Sequence, residues 1–521
     1  MDKVSNYKDL IYKEAALKED IKLYPHQQRV VNNPSNSIII AHSVGSGKTL
    51  TGIAKFEDLK KKGEANKALV VVPASLRDNF AREGVNKFTD SSCNVIGNKQ
   101  EQKKGVYGDL NPDADYNIIS YEMFRRDPEG WLKRSGADTV ITDENHRAKN
   151  EGTQTTNALL ETRKLYKNYI GLTGSVISNG IADVHPLVDI AANKNHALGK
   201  NKNDFEKMYL KRSNKKIYNG LADKRKPVVG FNNKKILKKE LLKYIDYTDF
   251  NDIKELANMP DKKINVTKVP LTKEQAKAYK KILKDDPKVR NLIRQRRLET
   301  MKNDEIANAF SSLAESRKLM NSVSTVKPGM TLEESWKNSS KTKKLIEDLE
   351  NHLKTTDDGQ AIVLTHLVNG GVDVVEAALK EKGIDYGKFT GKNKEVTEEK
   401  RQQDVVDYNN RKKRVMVISP AGNEGLSLND TTWEGVLDPH FNPEKMNQLE
   451  ARGVRSGGLS HRNKEDREVL INRYISTMPK TLGIIPNSTK TPDEFIYELA
   501  QNKDKNNKLF YDYIKKIRKD G

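Results

Sequence analysis

The sequence predicts an α/β protein of two parallel-sheet lobes with a helical insertion between them. Short apolar runs alternate with polar or helical stretches in two separate blocks, the rhythm of parallel strands covered by helices. Between the blocks the rhythm stops, and residues 193–334 read as mostly helical and strongly charged. The 521 residues leave room for about three domains at roughly 150 residues each.

The elements follow in order. A segment over 1–20 precedes the first lobe, 21–192. Its strand candidates are 37–41, 68–72, 117–120, 139–142 and 169–172, each short with an apolar centre, as suits a buried strand. In the insertion, 200–250 carries fifteen Lys or Arg against six Asp or Glu. Such a run suits either a solvated helical face or a surface that tracks phosphates. The second lobe, 335–490, has strand candidates at 361–365, 414–419 and 435–437. A helical segment, 491–521, follows. In it Leu509, Phe510, Tyr513, Ile514 and Ile517 recur among charges, so an amphipathic helix folded back on the lobes is expected.

Composition excludes several classes. No run approaches the roughly 18 apolar residues of a membrane helix, so no membrane partner is expected. Residues 1–20 have no apolar region of the secretory kind. The single cysteine, Cys93, excludes a disulfide framework and a multi-cysteine zinc site. It suits a reducing compartment, and a cytoplasmic location is expected. A net charge of +21 favours a polyanionic partner such as nucleic acid. A Lys- and Asn-rich composition would give the same charge without one.

Three motifs carry chemistry. The strand candidate 37–41 runs into His42-Ser-Val-Gly-Ser-Gly-Lys-Thr49 and then a helical stretch. Strand, glycine loop and helix form the context of a phosphate-binding P-loop. Gly45, Ser46 and Gly47 would bring backbone N–H groups to phosphates. Lys48 would reach the β- and γ-phosphates, and the Thr49 hydroxyl would hold Mg²⁺. His42 departs from the pattern, which wants glycine there. Next, Asp138-Thr-Val-Ile-Thr-Asp143 delivers Asp143 and Glu144 at a strand end, where open α/β sheets bind ligands. Asp143 is a second metal candidate, and Glu144 would orient or deprotonate water. In the second lobe, Gln448, Arg452 and Arg455 stand at helical spacings of four and three, on one expected helix face. Arginines so placed can stabilise a transferring phosphoryl group. His352, His440 and His461 lack ligand spacing, and no metal besides Mg²⁺ is expected.

Together these residues resemble superfamily 2 helicases and translocases, most closely the Swi/Snf-type branch. Asp143-Glu-Asn-His-Arg-Ala-Lys-Asn150 is similar to its acidic box, and Val72-Pro-Ala-Ser-Leu-Arg-Asp-Asn-Phe80 with Glu83 to its motif Ia. Leu23-Tyr-Pro-His-Gln27 resembles the entry motif whose glutamine recognises adenine. Leu172-Thr-Gly-Ser-Val-Ile-Ser-Asn179 resembles motif III, with Val176 in place of proline. Ala361-Ile-Val-Leu-Thr-His366 resembles motif IV, Phe389-Thr-Gly391 the loop after it, 419–428 motif V and 448–455 motif VI. The end of the chain is also similar to poxvirus nucleoside triphosphate phosphohydrolase I-like and phage helicases. That points to a viral or phage source and a host-cell cytoplasm.

The resemblance implies RecA-like lobes, ATP and Mg²⁺ as cofactors, and Lys48, Asp143, Glu144, Arg452 and Arg455 as catalytic residues. It implies Gln27, Gly425 and Gln448 as further ATP contacts. Ser75, Arg77, Tyr121, Glu122, Thr365, His366, Thr390, Gly391 and Lys392 are implied along the nucleic-acid path. The implied function is ATP-driven translocation on duplex DNA by a monomer, with transcription or replication machinery as further partners. Strand separation on DNA or RNA, a viral-type transcription ATPase subunit, and a non-enzymatic scaffold are the alternatives.

Overall fold

The computed structural model describes residues 17–103, 105, 108–178, 180–213, 228–254, 256, 258–294, 303–391, 396–420, 426, 428–455, 457–480 and 487–519. The chain divides into two compact units. The first comprises 1–212, 228–256 and 507–521, and the second 213–227 and 257–506.

The first unit is built on strands β1 (Ser37–His42), β2 (Ala68–Val72), β3 (Cys93–Val95), β4 (Tyr116–Ser120), β5 (Thr139–Thr142) and β6 (Asn168–Thr173). A small antiparallel pair, β7 (Leu210–Arg212) and β8 (Val228–Phe231), precedes β9 (Ile245–Thr248). The main sheet is parallel, in the order β3-β4-β2-β5-β6-β1-β9. Ile38, Ile39 and Ile40 are all buried, although successive side chains point to opposite faces. That is the mark of a strand covered on both sides. One core holds Ile39, Val71 and Val140, and the other Ile38, Val70 and Ile141.

The second unit carries β10 (Asp261–Pro270), β11 (Gln360–Leu364), β12 (Tyr386–Phe389), β13 (Val415–Ile418), β14 (Thr431–Val436) and β15 (Glu468–Thr477). They form a parallel sheet in the order β10-β15-β14-β11-β13-β12. Trp336 and Trp433 are buried in its core with Leu345, Val363 and Val417.

The expected helical stretch 193–334 is mixed. Its first part adds β9 to the edge of the first sheet, and its second adds β10 to the edge of the second. Edge strands expose one long side, so β10 reads Asp-Lys-Lys-Ile-Asn-Val-Thr-Lys-Val-Pro, mostly polar and without a buried-strand signature. The amphipathic C-terminal helix is present as Pro492–Lys519, and Phe510, Ile514 and Ile517 enter a core of the first unit. Among the described residues no helix is long and apolar enough to cross a membrane.

Candidate functional site

Because the first sheet is parallel, β1, β2, β5 and β6 all end on one edge. The loops leaving it hold the phosphate loop, motif Ia, the acidic box and motif III. β1 and β5 are separated only by β6, so their ends lie about 10 Å apart at the usual strand spacing.

Helix α2 (Lys48–Lys61) starts directly after Gly47. Gly45 and Gly47 have φ of 85° and 77°, in the left-handed region. At Gly47 a Cβ would lie 2.6 Å from Gln27 Nε2, so conformation and close approach both require glycine there. The helix N-terminus leaves backbone N–H groups for an anion. Lys48 Nζ donates to Ser43 O at 3.4 Å. Gly174 of motif III sits so close that a Cβ there would be 3.9 Å from that nitrogen.

Helix α1 (Pro25–Asn32) braces this loop. Gln27 Nε2 donates to Ser46 O and Gly47 O at 3.4 Å each, and Gln27 Oε1 accepts from Tyr24 N at 2.8 Å. His26 Nε2 donates to Ser46 O at 2.9 Å, and burial holds its imidazole down to a pKa of about 4. His42 is fully buried, and its Nε2 donates to Asp246 Oδ1 at 2.7 Å. Arg29 grips the same carboxylate at 2.7 and 2.6 Å. Burial alone would raise the Asp246 pKa, but the bonds and charges of Arg29 and His42 hold it well below the usual range. Burial also lowers that of His42. The departure from glycine at 42 thus has a structural partner, carried in by β9.

The acidic pair leaves β5. Tyr121 Oη donates to Asp143 O at 2.8 Å, and Glu144 N donates to Asp143 Oδ1 at 2.9 Å. Glu144 has φ of 51°, rare for a non-glycine residue, and His146 Nδ1 lies 3.2 Å from its Oε2. Asn145 is buried and accepts from Tyr169 Oη at 2.7 Å. Gly171 makes room for it, since a Cβ there would meet Asn145 Nδ2 at 2.4 Å. Asn145 therefore ties the box to β6. In motif III, Ser175 is buried and hydrogen-bonds Tyr511 Oη at 2.5 Å. Tyr511 stacks on Tyr247 with centroids 4.9 Å apart.

In the second unit the helix Pro443–Glu450 ends before the arginines of motif VI. Gln448 lies on the helix, whereas Arg452 and Arg455 follow it and do not share its face. The cause is Gly453, whose N–H donates to Glu434 Oε1 and whose position has no room for a Cβ. Both arginines still converge, donating to Leu426 O at 3.4 and 2.7 Å.

Several implied nucleic-acid residues point inward. Arg77 is buried and spends its guanidinium on Glu101 and Ile96 O. Tyr121 is buried beneath the acidic box. Thr365 is buried and donates to Asp438 Oδ1 at 2.7 Å, while the His366 N–H donates to Oδ2 at 2.7 Å. Thr390 is buried, Gly391 half-buried and Ser75 exposed. Gly425, Lys392 and Asn179 lie outside the described residues. Sequence reasoning passed over Arg29, Asp246, Asp438 and Tyr511. The one signal available was His42, an imidazole in an apolar strand that needs a partner.

The SNF2-related domain matches residues 25–325, and the helicase conserved C-terminal domain matches 341–457. A protein of Acanthamoeba polyphaga mimivirus, named for an ATP-dependent RNA helicase, is 24% identical over 93% of this chain and 95% of its own length. The ISWI chromatin-remodeling complex ATPase ISW1 of Saccharomyces cerevisiae is 25% identical over 80% of this chain, which spans 35% of that protein. The Sulfolobus solfataricus SWI2/SNF2 ATPase core, solved with dsDNA, aligns over 97% of this chain and 98% of its own at 21% identity and a TM-score of 0.39. With the first family match alone covering more than half of the sequence, this chain belongs to the SNF2-related family of ATP-dependent helicase-type enzymes.

Proposed function

We propose that the chain hydrolyses ATP to ADP and phosphate and spends that energy on moving along duplex DNA. The observation that carries this is the meeting of the Lys48–Thr49 loop and the Asp143–Glu144 pair at one edge of a parallel sheet. Lys48 and the N–H groups at the start of α2 hold the triphosphate. The Thr49 hydroxyl and Asp143 carboxylate are hard oxygen donors, the set that suits Mg²⁺. Once bound, Mg²⁺ neutralises charge on the phosphate oxygens. Glu144 orients the attacking water and accepts its proton. Arg452 and Arg455 are the cations assigned to the charge that develops on the γ-phosphoryl group.

Duplex DNA as the track is supported by the extended acidic box through Asn150, the net charge of +21 and the remodeller among the relatives. Phosphate contacts carry no direct sequence information, which suits a motor. Arg77, Tyr121 and Thr365 act by shaping loops, and Ser75 and Gly391 remain as backbone contacts. The test is steady-state ATPase activity with no nucleic acid, duplex DNA, single-stranded DNA and RNA, alongside Glu144→Gln. Stimulation by duplex DNA, absent in the variant, is expected. Stimulation by RNA or single strands alone would replace this reading with strand separation, as the name of the mimivirus relative suggests.

A further inference from the structure

Behind the acidic box, on the first unit, lies a cluster that the ATPase chemistry does not use. His185, Asp189 and His196 bring one ligand-type atom each within 4.8 Å of one another. His185 and Asp189 are one turn apart on the helix Val184–Ala192. Glu151, in the turn after the acidic box, brings Oε1 beside His185, where it also accepts from Lys202 N at 2.6 Å.

The hydrogen bonds define each tautomer. His185 is fully buried, and its Nε2 donates to Gly199 O at 3.0 Å. Neutral His185 therefore carries a lone pair on Nδ1, and that buried atom has no hydrogen-bond partner. It faces two carboxylate oxygens, Glu151 Oε1 at 3.4 Å and Asp189 Oδ2 at 3.5 Å. The Nδ1 lone pair and these acceptor oxygens repel unless a cation sits beside them. An imidazolium would meet one carboxylate at about 2.7–2.9 Å, the length of a charge-assisted bond, and neither distance is that short. Donors bound tetrahedrally at about 2.0–2.2 Å stand about 3.3–3.5 Å apart. Both distances fall in that range.

The surroundings support the same reading. Leu198 N donates to His196 Nδ1 at 3.0 Å, so the other His196 nitrogen carries the proton. It donates to Asp189 Oδ1 at 2.5 Å and leaves Oδ2 turned toward His185. A ligating imidazole whose far N–H meets a backbone carbonyl, beside a carboxylate held by a hydrogen bond, is the outer arrangement of a metal centre. One imidazole with carboxylates suits Zn²⁺, whereas Mg²⁺ takes oxygen ligands. Glu151 is partly exposed and gives the ion a way in.

We propose that His185 Nδ1, Asp189 Oδ2 and Glu151 Oε1 bind one Zn²⁺, with water completing the shell, and that His196 is a positioning residue for Asp189. The ion would staple the turn after the acidic box to the helix Val184–Ala192.

The test uses the full chain, stripped with a chelator and titrated with ZnCl₂ by calorimetry in excess Mg²⁺, with bound zinc counted by mass spectrometry. One zinc per chain is expected, at an apparent Kd of about 1 μM or tighter. Asp189→Asn and the rim variant Glu151→Gln should weaken binding by about 100-fold or more, and His196→Ala by about 10–100-fold. Glu144→Gln, at the nucleotide site, should keep the zinc. No stoichiometric zinc in the wild type would overturn the proposal. So would zinc that survives both ligand variants, or zinc lost in Glu144→Gln.

Discussion

His42 Nε2 donates to Asp246 Oδ1 at 2.7 Å, joining the first residue of the phosphate loop to a strand 204 positions later. Arg29 of α1 grips the same carboxylate. Asp246→Asn would leave the buried imidazole and the guanidinium without their anion. Removing one partner of a buried pair costs roughly 3–5 kcal/mol, and the partial exposure of Arg29 places this case near the low end, about 3 kcal/mol. Urea unfolding measures that loss. A rise in KM for ATP should accompany it, because α1 and the loop would lose their common anchor.

Glu144→Gln keeps the shape of the side chain and removes its basicity. Hydrolysis should fall by about 10²–10⁴-fold, the usual worth of a general base. Binding of a fluorescent ATP analogue should persist. Lys48→Ala should reduce binding itself, and an equal loss of binding in both variants would contradict the separation of roles.

Arg455→Ala should lower kcat by about 10³-fold or more if its guanidinium stabilises the transferring phosphoryl group. Arg452 is more deeply buried, so Arg452→Ala should also depress the thermal midpoint. Single-turnover ATPase kinetics beside thermal unfolding tells the two effects apart.

Four histidines make stability sensitive to acid. Burial holds His26 and His352 down to about 4, and His366 and His440 down to about 3. In the unfolded chain an imidazole titrates near about 6.5. Between these values the unfolded state binds more protons, so stability rises with pH through the window. It is fully present above about 6.5 and is lost as pH falls toward 4 and then 3. The urea midpoint should therefore drop between about pH 7 and about pH 5, with no contribution from these groups at higher pH.

Lys211 is exposed on β7, in the basic stretch of the first unit. If that stretch grips phosphates, Lys211→Glu should weaken duplex binding equally across sequences and reduce the salt slope by about 1. Unchanged affinity in a fluorescence titration would leave the charge a solvated surface. Lys215 and Lys216, in the same run, lie outside the described residues.

Buried strands and sharp turns were legible because their causes are local. The runs at 37–41, 68–72, 139–142 and 361–365 are apolar through their middle positions, and Gly45 and Gly47 sit where the backbone needs them. The edge strand β10 was not legible, since a strand with one solvated side carries charges like a helix. Pairing between distant segments left little local trace beyond the imidazole of His42, which asks for a partner without naming it. Nothing near Asp246 announces that it will meet His42, and nothing near Tyr511 announces Ser175. The helical spacing of Gln448, Arg452 and Arg455 was real in sequence, yet the chain turns out of the helix at 451 because Gly453 packs against Glu434. The cluster at 185, 189 and 196 was missed for a similar reason. The second carboxylate beside it, Glu151, comes from another element.

The first unit is not finished where its strands end. Phe510, Ile514 and Ile517 fill one of its cores, and Phe231 packs against Phe510 and Tyr513. At about 5–20 residues per second, a ribosome needs tens of seconds to pass from β9 to these side chains. Through that interval the newborn lobe shows bare apolar surface around Phe231, although its sheet can already form. The first domain therefore cannot complete this core while the second is being made. That core waits for the last helix, and a chain truncated before Asn507 should expose it.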